Sequence, residues 1–416
     1  MRIVFAALGS LGDLYPMLAL ATASRDRGHT PVIAAPLMYE RYVQDLGLEF
    51  VAIRPNFPAE VLRELFTDPR HGSDKLMSHL IFPEARDTYE DLLVAAKGAD
   101  FLMAGELVYV APMVARTLGV PWGNSLLSPI SLFSAYDPSL ISGAPRVYHL
   151  RHFGPWPTRA FYALARRKTT QWAAPLLALQ HELGMDSGQN PIFDGKYSPH
   201  LVLIQFPEFF ARPQRDWPRA IVQTSFPYFS QPPQTEVVKK IQDFVAAGEP
   251  PIVFTLGSTA VYLARDFYQI AADVALELGR RAILLIAKNI PPEAPADRIL
   301  SLDYAPLDIA IQGSAAVVHH GGIGCCAEAL RAGVPALVIP FGADQPDNAA
   351  RLTRLGTALT LKRNQIDRAN LAAKLRALLS SSAIRDKARE IGAQIDPAAS
   401  IARSVEAMEQ ASAKFR

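Results

Sequence analysis

Short runs of apolar residues alternate with longer helical patterns along nearly the whole chain. In the first half the predicted strands are residues 3–8, 31–35, 50–53, 101–104 and 201–204, and a helix is predicted at 15–26. Strands that are apolar throughout are typical of parallel sheets that are covered by helices on both faces. The alternation therefore predicts an α/β fold built on doubly wound sheets.

The same alternation restarts after a proline-rich stretch at residues 226–233, which is too rich in proline for a helix or a central strand. Strands are predicted there at 252–256, 282–286, 315–319, 336–339 and 357–361, with a helix at 266–278. We therefore predict an N-terminal domain at 1–226, a linker at 227–236 and a C-terminal domain at 237–397. Residues 398–416 are predicted to be a helix that can pack back on the N-terminal domain. Two such domains are expected to face a central cleft, the usual ligand site.

Composition narrows the class of protein. A chain of 416 residues, half of them hydrophobic, is long enough for two domains with large cores. The formal net charge of +2 gives no basic field that would favour nucleic acid. No apolar run approaches the roughly 18 residues of a membrane span, and we read the apolar N-terminus as a strand rather than a signal peptide. We expect a cytoplasmic protein for which peripheral membrane contact stays open, as does the choice between monomer and homodimer.

A glycine-rich turn follows the predicted strand at 315–319 and leads into a helix expected to begin near Gly324. Glycines let the backbone approach a ligand, and the first amides of a helix suit a phosphate group. His320, at the strand end, can donate a hydrogen bond or a full charge to a diphosphate. Asp344 and Gln345 follow the next predicted strand, where a carboxylate beside an amide can bind two neighbouring sugar hydroxyls. The set predicts a site for a nucleotide sugar.

These motifs resemble those of a known family. Residues 318–324, Val-His-His-Gly-Gly-Ile-Gly, and 343–346, Ala-Asp-Gln-Pro, are similar to the donor signature of family 1, UDP-glycosyltransferase-type enzymes. The opening, Gly-Ser-Leu-Gly-Asp-Leu-Tyr-Pro at 9–16, is similar to the family's Gly-Ser-x-Gly-Asp-x-x-Pro. The resemblance spans nearly the whole chain and is to bacterial glycolipid, sterol, macrolide and rhamnosyl transferases. It implies the GT-B architecture, with two Rossmann-like domains facing a central cleft.

The resemblance also implies which residues bind the donor. Glu328 would accept hydrogen bonds from the ribose hydroxyls, Tyr304 would stack on the base, and the Ala305 backbone would read the base edge. The full donor-binding set is Gly12, Gly257, Ser258, Tyr304, Ala305, His320, Gly322, Ile323, Gly324, Cys325, Glu328, Asp344 and Gln345. Two departures from the family pattern are Leu307, where members often carry Gln or His, and Cys325-Cys326 in place of a Ser or Thr pair. A thiol is a weak hydrogen-bond donor.

Asp13 is interpreted as the catalytic base. It lies between a buried strand and a helix, and helix starts favour Asp for capping, so a structural role is the alternative. An alcohol needs a positioned base to attack at neutral pH. Attack opposite the diphosphate inverts the anomeric configuration, and His320 with the helix start would stabilise the leaving group. Because the chain has no Asp-x-Asp triplet and no clustered cysteine ligands, we predict a metal-independent enzyme. No cofactor is expected beyond the co-substrate, a UDP- or dTDP-linked sugar.

The acceptor is expected to be a small apolar or aromatic molecule or a lipid. Long insertions at 56–85 and 128–175 follow predicted strands, and the second is rich in aromatic and basic residues. Candidate acceptor-binding residues are Glu106, Phe133, Tyr136 and His152, although the aromatic ones could equally belong to the core.

Two questions about function stay open at this stage. UDP-glucose is the plainest donor, and dTDP-rhamnose or another deoxysugar is the alternative. A non-catalytic nucleotide-sugar-binding accessory protein is a second reading on the same fold. A nicotinamide-dependent oxidoreductase is disfavoured, because no Gly-x-Gly-x-x-Gly follows the first strand and the second strand ends Ala34-Ala35-Pro36 rather than in an acidic residue.

Overall fold

The computed structural model describes residues 1–57, 72–230 and 235–415, and the chain divides into two compact units. Unit 1 comprises Met1–Phe229 together with Asp396–Arg416, and unit 2 comprises Ser230–Ile395. Each unit contains one parallel sheet with helices packed against it, which confirms the predicted α/β, Rossmann-like class. The predicted linker and the first insertion lie partly outside the described residues.

The sheet of unit 1 has the strand order β3-β2-β1-β4-β5-β6-β7, and every neighbouring pair is parallel. Its strands are β1 (Arg2–Ala6), β2 (Thr30–Ala35), β3 (Glu49–Ala52), β4 (Phe101–Ala104), β5 (Trp122–Leu126), β6 (Leu201–Ile204) and β7 (Ile221–Gln223). The helices are α1 (Leu11–Asp26), α2 (Glu40–Gln44), α3 (Gly72–Lys75), α4 (Ala85–Ala96), α5 (Ala111–Leu118), α6 (Pro155–Trp172) and α7 (Ala174–Glu182). Apolar side chains from both faces of β1 are fully buried, as expected for a strand between two helical layers.

The sheet of unit 2 has the order β10-β9-β8-β11-β12-β13 and is also parallel throughout. Its strands are β8 (Ile252–Thr255), β9 (Ala282–Leu285), β10 (Ile299–Leu302), β11 (Ala316–His319), β12 (Ala336–Val338) and β13 (Ala358–Thr360). The helices are α8 (Thr235–Ala246), α9 (Gly257–Ala260), α10 (Phe267–Glu277), α11 (Leu307–Ile311), α12 (Ile323–Arg331), α13 (Gln345–Leu355), α14 (Arg368–Ser380) and α15 (Ser382–Gly392).

The last helix, α16 (Pro397–Phe415), packs on unit 1. Val405 and Met408 are fully buried in the core that also contains β1 and α1. At the polar edge Glu409 accepts hydrogen bonds from the Arg27 guanidinium at 2.6 and 3.0 Å and lies 2.8 Å from the His29 ring. These hydrogen bonds hold α16 against the residues that follow α1.

Three strands and one helix start differ from the sequence expectations. The strands β5, β7 and β10 were not predicted. In β5 the buried Asn124 and Ser125 hide the apolar pattern, and their side chains bond Ser198 and Gln205. Helix α1 begins at Leu11 rather than Tyr15, because Ser10 caps it and the helix continues through Pro16.

The strand order reverses once in each sheet, between β1 and β4 in unit 1 and between β8 and β11 in unit 2. Open parallel sheets bind ligands at such switch points, outside the carboxyl ends of the strands. The turn 9–13 and Glu106 follow β1 and β4. Gly257 and His320 follow β8 and β11. The two switch points therefore carry the residues that the sequence singled out.

Candidate active site

His320 lies in a cradle of glycines at the switch point of unit 2. A Cβ atom on Gly257 would lie 2.3 Å from Cε1 of the His320 ring, and one on Gly322 would lie 2.4 Å from Nε2. Gly257 also has φ of +67°, a conformation that favours glycine. Burial lowers the pKa of His320 to about 4. The imidazole is therefore neutral at neutral pH, and it can donate a hydrogen bond rather than the full charge considered from the sequence.

Helix α12 begins directly beside this ring. Its N-cap is Gly322, so no side chain caps the helix, and the first intrahelical bond runs from the Cys326 amide to the Gly322 carbonyl at 3.0 Å. The amides of Ile323, Gly324 and Cys325 precede that bond, and Gly324 is exposed. Unbonded amides at a helix start, with the helix dipole behind them, suit an anionic phosphate.

Cys325 takes the place of a hydroxyl residue next to the ring. Its Sγ atom is 4.0 Å from His320 Nδ1, and burial raises the pKa of the thiol to about 12. The side chain therefore stays a neutral thiol, which is a weaker donor to phosphate than a hydroxyl.

Asn348 joins the glycine turn to the predicted sugar-binding carboxylate. It is fully buried, and its Nδ2 donates to the Gly321 carbonyl at 3.0 Å and to Asp344 Oδ2 at 2.7 Å. Sequence reasoning missed this residue. The available signal was its spacing of four positions from Asp344, which places both on one face at the start of α13.

Gln345 is turned toward its own loop. Its Oε1 accepts hydrogen bonds from the Phe341 and Gly342 amides at 2.7 and 3.1 Å, and the residue is only 3% exposed. The acceptor oxygen therefore holds the loop after β12, and only the amide nitrogen remains for a sugar hydroxyl. This is a narrower role than the pair of contacts inferred from the sequence.

Glu328 lies one turn further along α12. Its Oε2 accepts two hydrogen bonds from the Arg331 guanidinium, at 2.6 and 2.9 Å. Burial outweighs that arginine and raises the pKa of Glu328 to about 7. The remaining predicted donor residues follow β10 and β8, where Tyr304 is 48% exposed, Ala305 is buried and Ser258 is exposed.

Asp13 occupies the third position of α1. Its Oδ2 accepts hydrogen bonds from the Ser10 amide at 2.7 Å and the Ser10 hydroxyl at 3.1 Å, so the two residues form a capping box. A Cβ atom on Gly9 would lie 2.4 Å from Oδ2, at a φ of +117°. Burial nevertheless raises the pKa of Asp13 to about 6. The capping role and the role of base are compatible, because both bonds from Ser10 use the same oxygen.

Glu106, beside the same switch point, belongs to a buried cluster. Its Oε1 accepts a hydrogen bond from the Ser131 hydroxyl and lies 3.8 Å from Lys196 Nζ. Lys196 is 6% exposed. Burial lowers the pKa of its ammonium group, although the negative charge of Glu106 acts in the opposite direction. Its ammonium also lies 5.0 Å from the centre of the Phe133 ring. No local pattern indicates Lys196, because it lies 90 positions after Glu106 in the chain.

The other candidate acceptor residues are spread over the second insertion. Phe133 is partly buried; it packs against Phe193, with ring centres 4.3 Å apart, and against a core cluster of unit 1. Tyr136 is 37% exposed and accepts a hydrogen bond from Arg159, and His152 is exposed. The structure therefore assigns Phe133 a packing role and leaves the other two at the surface.

Metal-ligand clusters and membrane-spanning helices are both absent from the part of the chain that the structure describes. In the ranges 1–57, 72–230 and 235–415, no three His, Cys, Asp or Glu side chains are grouped as metal ligands would be. No helix within these ranges has the length and apolar character needed to cross a membrane.

Comparison with known proteins identifies the family. Residues 270–408 match the family described as the C-terminal domain of erythromycin biosynthesis protein CIII-like proteins. The O-mycaminosyltylonolide 6-deoxyallosyltransferase of Streptomyces fradiae is 34% identical over 423 residues, covering 94% of this chain and 93% of the relative. The chain belongs to the family 1 glycosyltransferases.

Solved structures of GT-B glycosyltransferases share the fold. The spinosyn forosaminyltransferase matches with a TM-score of 0.72 and 19% identity over 99% of both chains. The spinosyn rhamnosyltransferase complexed with thymidine diphosphate matches with a TM-score of 0.68 and 19% identity, over 98% of this chain and 100% of that one. The predicted GT-B fold is thereby confirmed, and the protein is an enzyme, a glycosyltransferase.

Proposed function

We propose that this glycosyltransferase transfers a 6-deoxyhexose from its dTDP-linked form to a hydroxyl group of an apolar natural product. The observation that carries this proposal is the glycine-cradled His320 beside the uncapped start of α12, a site shaped for a diphosphate. The deoxysugar is supported by the relative named as a 6-deoxyallosyltransferase. The thymine nucleotide is supported by the structural neighbour that holds thymidine diphosphate.

The contacts of Gln345 also favour a deoxysugar over glucose. Because its Oε1 is occupied by two backbone amides, the loop offers fewer acceptors for sugar hydroxyls than the sequence suggests. A donor that lacks one hydroxyl leaves fewer polar groups unpaired, and unpaired buried polar groups are costly. For this reason we rank a dTDP-deoxysugar above UDP-glucose, the donor that the sequence alone favoured.

The proposed reaction forms one bond and breaks one. The acceptor oxygen attacks the anomeric carbon opposite the diphosphate, while Asp13 Oδ1 takes the hydroxyl proton. The bond between the anomeric carbon and the phosphate oxygen breaks, and the electron pair leaves with the diphosphate. The His320 N–H and the amides of residues 323–325 stabilise its charge. The products are an inverted glycoside and dTDP.

The acceptor side is proposed to be apolar. A cavity of about 10 Å³, room for one water molecule, is lined almost wholly by apolar side chains at the strand ends of unit 1, among them Leu8 next to Gly9 and Leu107 next to Glu106. Tyr109, from the same cavity, is buried, and burial together with Glu106 raises the pKa of its hydroxyl above the ordinary range. An acceptor is too large for this cavity and must lie outside it, and the apolar side chains beside Gly9 and Glu106 support an apolar one.

A panel of dTDP- and UDP-linked sugars, each offered with a macrolide-type polyol acceptor, tests the proposal. Product mass and nucleotide release are measured together, with Asp13→Asn as the control for turnover. We expect the highest kcat/KM for a dTDP-6-deoxysugar. A preference for UDP-glucose would overturn the choice of donor, and dTDP binding without any transfer to the polyol would overturn the choice of acceptor.

A further inference from the structure

A strongly basic segment of unit 1 has no part in the proposed chemistry. Residues 145–172 contain six of the 42 arginine and lysine residues of the chain and none of its 40 acidic residues. The rest of the chain therefore has 36 basic against 40 acidic residues. The positive charge of the protein is concentrated in this one segment, which comprises a 3-10 turn at Pro145–Phe153 and helix α6.

Large apolar side chains of the same segment face solvent. Phe153 is 77% exposed, Trp156 is 75% exposed and Leu164 is 66% exposed. Folded proteins seldom leave several large apolar side chains together in water unless the surface binds something.

The two faces of α6 explain the arrangement. Thr158, Tyr162 and Thr169 are buried, and the Tyr162 ring packs on Phe133 at 5.8 Å. Positions eleven residues apart fall on nearly the same line of a helix, so Trp156 and Arg167 share one side of α6. This side is opposite the one that carries the three buried residues. The outer face therefore mixes aromatic and aliphatic groups with arginines.

Most arginines of the segment are not neutralised. Arg166 pairs with Asp194 and Lys168 with Asp74, but no acidic residue in the described ranges pairs with the other four. These four are Arg146, Arg151, Arg159 and Arg167. We name the outer surface, formed by Arg151, Phe153, Trp156, Arg159, Leu164 and Arg167, the basic-aromatic face.

We propose that the basic-aromatic face binds the headgroup region of an anionic lipid bilayer. Helices with basic side chains beside exposed Trp, Phe and Leu lie in the membrane interface, where the apolar groups enter the acyl boundary. Trp is favoured at that depth, and arginine can bury its stem while its charge stays with the phosphates. An apolar acceptor would partition into the same bilayer. That consequence rests on the proposed function, whereas the binding itself does not.

Co-sedimentation of the full chain with lipid vesicles tests the proposal without any turnover. Vesicles of phosphatidylcholine with about 30 mol % phosphatidylglycerol are compared with pure phosphatidylcholine, at low and high salt. We expect binding to the anionic vesicles that weakens as salt rises, because counterions screen the attraction. Equal binding to both vesicle types, or none to either, would overturn the proposal and leave an acidic protein surface as the partner.

Two double variants locate the contact. Arg159→Gln with Arg167→Gln should lower the vesicle partition coefficient about thirtyfold, from roughly fivefold per removed charge. Phe153→Ala with Trp156→Ala should lower it by at least about tenfold while the salt dependence remains. The matched controls are Ile290→Ala, which removes an apolar side chain 89% exposed in unit 2, and Lys239→Gln. Unchanged partition in both double variants would contradict the assignment, as would equal losses in the controls. A normal melting temperature and normal dTDP binding exclude misfolding.

Discussion

Asp13→Asn separates the role of base from the role of helix cap. The amide oxygen of asparagine can still accept the bond from the Ser10 amide, 2.7 Å from Oδ2 in the wild type, but the side chain cannot take a proton. We expect kcat to fall by roughly a hundredfold to ten-thousandfold, the range for loss of a general base. Donor affinity should stay unchanged, since the proposed diphosphate contacts are in unit 2.

The difference in stability between the wild type and this variant should depend on pH in a defined direction. Burial raises the pKa of Asp13 from 3.8 to about 6, so the folded protein holds this proton more tightly than the unfolded chain does. The free energy of unfolding of the wild type therefore falls as pH rises from about 4 to 6. The pKa difference corresponds to a loss of at most about 3 kcal/mol, and the actual loss should be smaller because the Asp13 side chain is partly exposed. Asparagine carries no charge, so Asp13→Asn should melt a few degrees above the wild type at pH 8 and close to it at pH 4.5.

The pH profile of the wild type gives the complementary measurement. Asp13 must be ionised to act as base, so kcat/KM should fall tenfold per pH unit below an apparent pKa near 6. The matched control is Ser10→Ala, which removes one hydrogen bond to the carboxylate and keeps the base. Its plateau activity should persist while the acidic limb moves to higher pH. Substantial transfer by Asp13→Asn at pH 8, or no shift in Ser10→Ala, would refute the reasoning.

Three further variants test the donor loops. Gly257→Ala would place a methyl group 2.3 Å from the His320 ring at an unfavourable φ, and donor KM in saturation kinetics should rise by at least about tenfold. Asn348→Ala should lower donor kcat/KM about tenfold or more. Asn348→Asp should lower donor kcat/KM more at pH 8 than at pH 6, because a second carboxylate would then face Asp344. Equal losses at both pH values would contradict this role. Cys325→Ser should lower donor KM roughly twofold to tenfold, since a hydroxyl donates to phosphate better than a thiol, and an unchanged KM would place the side chain away from the phosphates.

Local sequence patterns were sufficient to predict the fold and the ends of the critical strands. A buried apolar run followed by glycines and a helical pattern identifies a strand, its carboxyl end and the next helix start within a few residues. For this reason the turn after β11 and the turn after β1 were recognised as candidate site elements. Strand β5 was missed because its buried Asn124 and Ser125 bond residues that are at least 74 positions away.

Long-range contacts also decide what individual side chains can do. The sequence could not show that burial holds His320 neutral, or that Gln345 Oε1 binds its own loop. Lys196 reaches Glu106 only because the fold brings the segment before β6 next to the turn after β4. Residue types in a motif indicate the kind of ligand, whereas burial and hydrogen-bond partners decide the charge and the atoms that remain for it.

Calorimetric titration of dTDP into the wild type and into His320→Ala tests the central claim most directly. If the imidazole in the glycine cradle donates to the diphosphate, its removal should weaken dTDP binding roughly tenfold to a hundredfold, the value of a hydrogen bond to a charged group. The melting temperature of the variant, measured alongside, shows whether unit 2 remains folded. Equal affinity of the two proteins for dTDP, or no binding by the wild type, would contradict the account.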